Sequence, residues 1–134
     1  MAGYSGRSLV EKLGIKPGTR IAILNAPRGY RVTLGSLPPG VVVASAARGT
    51  FPFIHFFTRS RTLLQAKVPL LLRALAPDGA LWISWPKQSS GVETDMTEDV
   101  VRQVVLPTGL VDIKVAAVDD VWSGLKLVRR LKNR

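Results

Sequence analysis

The chain has 134 residues, 46% of them hydrophobic, a net charge of +10, no cysteine and one histidine. That length supports one domain with a real core and is too short for two. Without thiols there is no disulfide framework, thiolate zinc site or cysteine nucleophile, and the expected compartment is a reducing cytoplasm; no run approaches the ~20 apolar residues of a membrane span, and the first residues lack the apolar stretch of a secretion signal.

The charge is unevenly spread. Residues 1–77 hold eleven Lys/Arg and a single acid, Glu11, whereas residues 78–134 hold eight of each, so the whole excess lies in the first part. Such an imbalance attracts anions: phosphates, nucleic acid or an acidic partner. A high pI alone needs no ligand, so the positions of the charges decide its meaning.

Ser5 or Ser8 caps a short helix over residues 9–13, which Gly14 ends. The turn Ile15-Lys16-Pro17-Gly18 leads into a first buried strand, 20–24. Asn25-Ala26-Pro27-Arg28-Gly29-Tyr30 is a loop broken by proline and glycine, followed by a short helix over 30–34. After Leu37-Pro38-Pro39-Gly40, residues 41–45 form a second strand, and 46–50 a small-residue loop containing Arg48. Residues 53–57 form a third strand, preceded by Pro52. Ser60 or Thr58 then caps a long helix reaching residue 76, with an apolar stripe through Leu64, Val68, Leu71 and Leu75. Pro69 lies inside it and is expected to kink or divide it.

Ala76-Pro77-Asp78-Gly79 reads as a tight turn in which Gly79 supplies a positive φ. Residues 80–85 are nearly all apolar, as in a strand covered on both faces, and Pro86 ends it. A polar loop, Lys87-Gln88-Ser89-Ser90-Gly91, follows. Asp95-Met96-Thr97-Glu98 matches a capping box for a helix through Val100, Val101, Val104 and Val105. Residues 110–118 read as a strand, Asp119-Asp120 as a turn, and 122–130 as a last strand closing a hairpin. The expected fold is therefore α/β in a single domain, 1–134: a short doubly wound, mostly parallel sheet of about six strands with a C-terminal antiparallel hairpin.

On that sheet Arg28 and Arg31 follow the first strand, Arg48 the second, Arg59 and Arg61 the third, and Lys87 the fourth. Each falls past a strand's carboxyl end, the edge where open α/β sheets bind ligands, and helix N-termini add positive potential there. The expected ligand-binding set is Asn25, Arg28, Gly29, Arg48, Arg59, Trp85, Lys87, Ser89 and Ser90. The expected ligand is a phosphate-bearing anion, a small molecule or nucleotide; solvated loops would carry the same charges with no ligand. Lys126, Arg129, Arg130, Lys132 and Arg134 could track a nucleic-acid backbone, although no aromatic residues interleave them.

Few residues point to catalysis. His55, within Phe53-Ile54-His55-Phe56-Phe57, shares a face with Phe53 and Phe57 and reads as a core histidine before a catalytic base. One imidazole and no thiolate argue against a metal site. Ser84-Trp85-Pro86-Lys87 matches S-x-x-K by letter, but that motif needs a helix, where i and i+3 share a face. Glu93, Asp95, Glu98 and Asp99 could supply a carboxylate pair, and helix capping accounts for most of them. Of Trp82, Trp85 and Trp122, Trp85 beside Lys87 is the expected stacking surface.

The segment Leu72-Arg73-Ala74-Leu75-Ala76-Pro77-Asp78-Gly79-Ala80-Leu81-Trp82-Ile83-Ser84 resembles the helix–turn–strand leading through the fifth strand of class I S-adenosylmethionine-dependent methyltransferases. The closing hairpin is similar to theirs. Trp85-Pro86-Lys87 with Ser89-Ser90-Gly91, Thr94-Asp95-x-Thr97-Glu98-Asp99, and Gly109-Leu110-Val111-Asp112 through Val121-Trp122-Ser123-Gly124-Leu125-Lys126 resemble an uncharacterised bacterial family of short proteins of unknown function. The methyltransferase resemblance implies a Rossmann-like fold and S-adenosylmethionine as cofactor. Its cofactor motif is degraded here. Several glycines normally follow the first strand, where this chain has Asn25-Ala26-Pro27-Arg28-Gly29-Tyr30. An acid normally ends the second strand, where this chain has Ser45-Ala46-Ala47-Arg48, and a third strand with its helix is missing.

Three functions follow as expectations. The first is a Rossmann-like domain whose basic crevice binds an anionic ligand without methyltransferase competence. The second is a minimal methyltransferase, with Asn25, Arg28 and Trp85 near the cofactor. The third is a non-catalytic interaction subunit that joins a partner or a second copy through an edge strand.

Overall fold

Six strands, β1 (Arg20–Leu24), β2 (Val42–Ala44), β3 (Phe51–Phe57), β4 (Leu75–Pro86), β5 (Leu110–Ala117) and β6 (Trp122–Arg129), form one sheet in the computed structural model, which describes residues 7–134. Their order is β2-β1-β3-β4-β6-β5. β2, β1, β3 and β4 run parallel, and β6 is antiparallel to both β4 and β5. The doubly wound sheet with a closing hairpin is thus present.

Strand parity sorts the core into two layers. Ile21 and Ile23 of β1, with Phe53, Phe57 and Trp82, face α1 (Leu9–Leu13) and α2 (Tyr30–Leu34). Ala22 and Leu24, with Ile54, Phe56, Leu81 and Ile83, face α3 (Arg61–Ala74) and α4 (Glu98–Val105). The stripe of α3 buries Leu64, Val68 and Leu71 there. Ser8 caps α1 in a reciprocal box with Glu11, and the alternative cap Ser5 lies outside the described residues.

Several local expectations need correction. Pro69 does not divide α3, which runs unbroken; the proline is on its exposed side, where the carbonyl it leaves unbonded can meet water. The segment before the central strand is no positive-φ turn, because Gly79 is absent from the left-handed glycines and β4 already begins at Leu75. The pairing jumps from Phe51↔Leu75 to Phe53↔Ala80, so β4 bulges through residues 76–79. Glycine is needed at 79 for close approach: a Cβ would lie 3.1 Å from the Phe51 carbonyl oxygen and 3.0 Å from Leu75 Cδ1. The cap of α4 is Thr97, whose hydroxyl accepts from the Val100 N–H, and Asp95 instead accepts from the Arg61 N–H at 2.8 Å, closing the start of α3.

The link from β2 to β3 positions the site. Residues 45–50 contain no helix and must pass β1 to reach the amino end of β3 on its other side, with Ala47 packed on the α3 side. A helix would cover that face of β1 more fully, so this bare crossover leaves a groove.

Candidate functional site

β1 is flanked by β2 on one side and β3 on the other, so the chain winds away in both directions from the carboxyl ends of β1 and β3. Open α/β sheets form their ligand crevice at such a point. Asn25 stands there with φ 58°, a left-handed conformation that asparagine tolerates better than most residues. Its Nδ2 donates to the Phe57 carbonyl at 2.8 Å and ties the two strand ends together. On β3's side the Thr58 hydroxyl accepts from the Ser60 N–H at 3.0 Å, and the Ser60 hydroxyl accepts from the Leu63 N–H at 3.2 Å. Thr94 donates to the Arg59 carbonyl at 2.6 Å, which anchors the loop after β4 over the same corner.

The resulting crevice has a volume of about 370 Å³ and is lined by Asn25, Pro27, Thr58, Arg59, Val92, Val121 and Trp122. Asn25 also borders the groove beneath the bare crossover, about 350 Å³, which Ser45, Ala46, Ala47, Phe56 and Lys67 help to line. Neither lining contains a carboxylate. A third, wider depression of about 740 Å³ lies past the end of β4, where Trp85, Lys87 and Ser89 meet Thr97, Glu98, Asp99 and Ser123.

The expected site residues therefore divide. Asn25 and Arg59 come together in the crevice, while Trp85, Lys87 and Ser89 line the separate depression. Arg28 and Gly29 line neither; Gly29 is the N-cap of α2. The Ser90 hydroxyl is turned inward, donating to the Lys87 carbonyl at 2.6 Å. Arg48 is misplaced by the sequence reading: its carbonyl accepts from the guanidinium of Arg20, the first residue of β1, so it lies at the amino edge of the sheet. Arg61 turns to Gln103 on α4, and Asp95 already occupies the start of α3. Trp85 is only 5% exposed and packs in the α3–α4 core, so it offers no free face for stacking. The indole in the crevice is Trp122, paired with Pro86 at the end of β4. Lys67 escaped notice because it sits mid-helix, away from every strand end.

A buried polar chain joins α2, β3 and β4. Tyr30 Oη is 2.7 Å from His55 Nδ1, and His55 Nε2 is 2.7 Å from Ser84 Oγ. Burial pushes His55 down to about 3 and raises Tyr30, so the imidazole is neutral and both hydroxyls stay protonated. His55 and Ser84 have no exposed surface, so no substrate reaches them and their role is structural. Among the described residues no group of three His, Cys, Asp or Glu side chains could hold a metal, and no helix is long and apolar enough to cross a membrane.

The fold is similar to those of solved methyltransferases. A protein of Sulfolobus solfataricus named as a type 11 methyltransferase aligns with a TM-score of 0.63 at 14% identity, over 97% of this chain and 94% of that one. The ribosomal protein L11 methylase of Lactobacillus delbrueckii subsp. bulgaricus aligns at 0.60 and 14%, over 91% of this chain and 75% of that one. A SAM-dependent methyltransferase of Aquifex aeolicus aligns at 0.58 and 15%, over 89% and 86%. At these identities the likeness shows the fold: α/β, Rossmann-like and methyltransferase-like. The sequence matches no protein-family model and no curated protein.

Proposed function

We propose that this protein is a methyltransferase-fold domain that binds a phosphate-bearing anion of nucleotide size in the crevice at the ends of β1 and β3. One observation carries the reading: Arg59 on one side of Asn25 and Lys67 on the other supply positive charge to two adjoining hollows whose linings hold no carboxylate. Arginine suits bidentate contact with a phosphate, and Trp122 gives the crevice an aromatic wall. The resemblance to a short bacterial family of unknown function is compatible with this reading and adds no activity to it.

S-adenosylmethionine fits these residues poorly. It brings a sulfonium, an ammonium, one carboxylate and a ribose diol, and Ser45 stands where the methyltransferase resemblance expects an acid for the diol. One of Arg59 and Lys67 would pair with that carboxylate, but no lining carboxylate would meet the sulfonium, the ammonium or the diol. The minimal methyltransferase remains the second reading because the aligned structures are methyltransferases.

Calorimetry at low salt with ATP, AMP and S-adenosylmethionine separates the two. The first reading expects ATP to bind, to weaken steeply as salt rises, and to lose about 10-fold or more in Arg59→Ala, as for a charge-assisted hydrogen bond. Heat from S-adenosylmethionine alone, unchanged by Arg59→Ala, would replace it with the second.

A further inference from the structure

β5 carries a bulge that separates two neighbouring charges. Asp112 pairs with Leu127 and Lys114 with Lys126, so Ile113 is an extra residue between two adjacent rungs of β6. In a regular strand residues two apart share a face. Here Asp112 turns toward α4, where its Oδ2 accepts from Arg102 Nε at 2.9 Å. Lys114 turns to the opposite face, its Nζ 5.9 Å from the centroid of a Trp82 ring. Re-aiming a side chain in this way is a recurrent use of bulges.

The bulge thereby sets Lys114 directly across from Lys126, a like-charge pairing that disfavours the hairpin. Lys126 reaches over the end of α1: a Cβ built on Gly14 would lie 3.9 Å from its Nζ. Lys16 follows two residues later in the chain. Partial burial, then the charges of Lys114 and Lys16, push the Lys126 ammonium below the usual lysine range. Arg102 and the carboxylates it gathers lie on the other face of the sheet, and among the described residues no carboxylate comes within salt-bridge distance of these lysines. Two paired strands thus set Lys114 and Lys126 opposite each other, and Lys16, in the turn after α1, adds its charge to theirs with no carboxylate in ion-pair reach.

We propose that Lys16, Lys114 and Lys126 form a second anion site, for a ligand bearing two or more linked phosphates. Lysines are point charges with rotatable donors, suited to the tetrahedral oxygens of phosphates more than to a planar carboxylate. Trp82 beneath them is fully buried, so the site reads charge and offers no ring for a base to stack on. Lys126 lies four residues along β6 from Trp122, roughly 13 Å at ~3.3 Å per residue, which separates this site from the crevice.

Inorganic pyrophosphate at low ionic strength is the probe. Calorimetry should give saturable binding that Lys114→Met and Lys126→Met each weaken about 10-fold or more, while Arg59→Ala leaves it intact. ADP binding no tighter than pyrophosphate would identify the free diphosphate as sufficient; tighter ADP binding that needs the same lysines would identify a nucleotide as its source. Without ligand, Lys114→Met should raise the melting temperature by relieving repulsion, and saturating pyrophosphate should reverse the order of the two proteins. Absent saturable binding, wild-type affinity in both lysine variants, or loss of affinity only in Arg59→Ala would overturn the proposal. The last outcome would leave the crevice reading standing, and failure of the crevice reading would leave this one.

Discussion

The two faces of the sheet are held by different physics. On the α3–α4 side, helices of 14 and 8 residues cover a layer of Leu, Ile, Val, Phe and Met. On the α1–α2 side, two helices of five residues each provide thinner cover, and the layer contains polar atoms. Tyr30, His55 and Ser84 join α2, β3 and β4 in one chain, and Trp82 Nε1 donates to the Leu13 carbonyl at 2.9 Å to hold α1. No buried side-chain polar atom is left unpaired among the described residues. The apolar face tolerates any packing of the right volume, whereas the polar face accepts one register, because each donor must meet its acceptor.

Acid should distinguish the faces most strongly. His55 has an ordinary value of 6.5 and is held at about 3 in the fold, so the neutral ring's contribution is complete above about 6.5 and is lost as pH falls toward 3. Stability should decline by ~1.4 kcal/mol for each pH unit in that window, on the order of 5 kcal/mol in all. Urea melts from pH 7 to 4 would check this. His55→Leu should flatten that slope, and an equally steep slope in the variant would place the acid sensitivity elsewhere.

At pH 7 the same variant gives the next largest effect. His55→Leu is near the original volume but strands the Tyr30 and Ser84 hydroxyls in the core, at a cost of about 2–4 kcal/mol. Leu71→Met, an equally conservative change on the apolar face, should cost under ~1.5 kcal/mol. Comparable losses in the two variants would erase the distinction between the faces.

How much of this was legible in the sequence depended on range. Period-two alternation put His55 with Phe53 and Phe57, and all three do pack in one layer. Its partners, 25 and 29 residues away, left no local signal. Arg48 failed for a related reason. A charge after a strand stays at that strand's end only where the chain lingers there, whereas residues 45–50 descend at once to the start of β3 and carry Arg48 with them. Trp85 could have been placed by parity: Leu81, Ile83 and Trp85 share the α3–α4 layer, leaving Trp122 to reach the crevice. The bulge at Ile113 had no signature, since Asp112-Ile113-Lys114 reads as ordinary alternation.

That bulge supplies the smallest effect and the sharpest contrast. Arg102 gathers Glu98, Asp99 and Asp112 on the rim of the apolar face, and its side chain is 30% exposed. These contacts hold Arg102 above and Asp112 below their ordinary values, chiefly through the hydrogen bond they share. Exposed pairs are screened and contribute little, so Arg102→Ala should cost only ~0.5 kcal/mol at low salt. At 1 M salt, where the screening length is ~3 Å, the difference should vanish. The loss in His55→Leu should survive the same salt, because its hydrogen bonds are neutral and shielded from ions. Parallel urea melts of both variants at the two salt concentrations would show whether the rim charges only trim the apolar face. A salt-resistant loss in Arg102→Ala would mean that Asp112's anchorage fixes the bulge, and so holds the hairpin as firmly as the buried chain holds the other face.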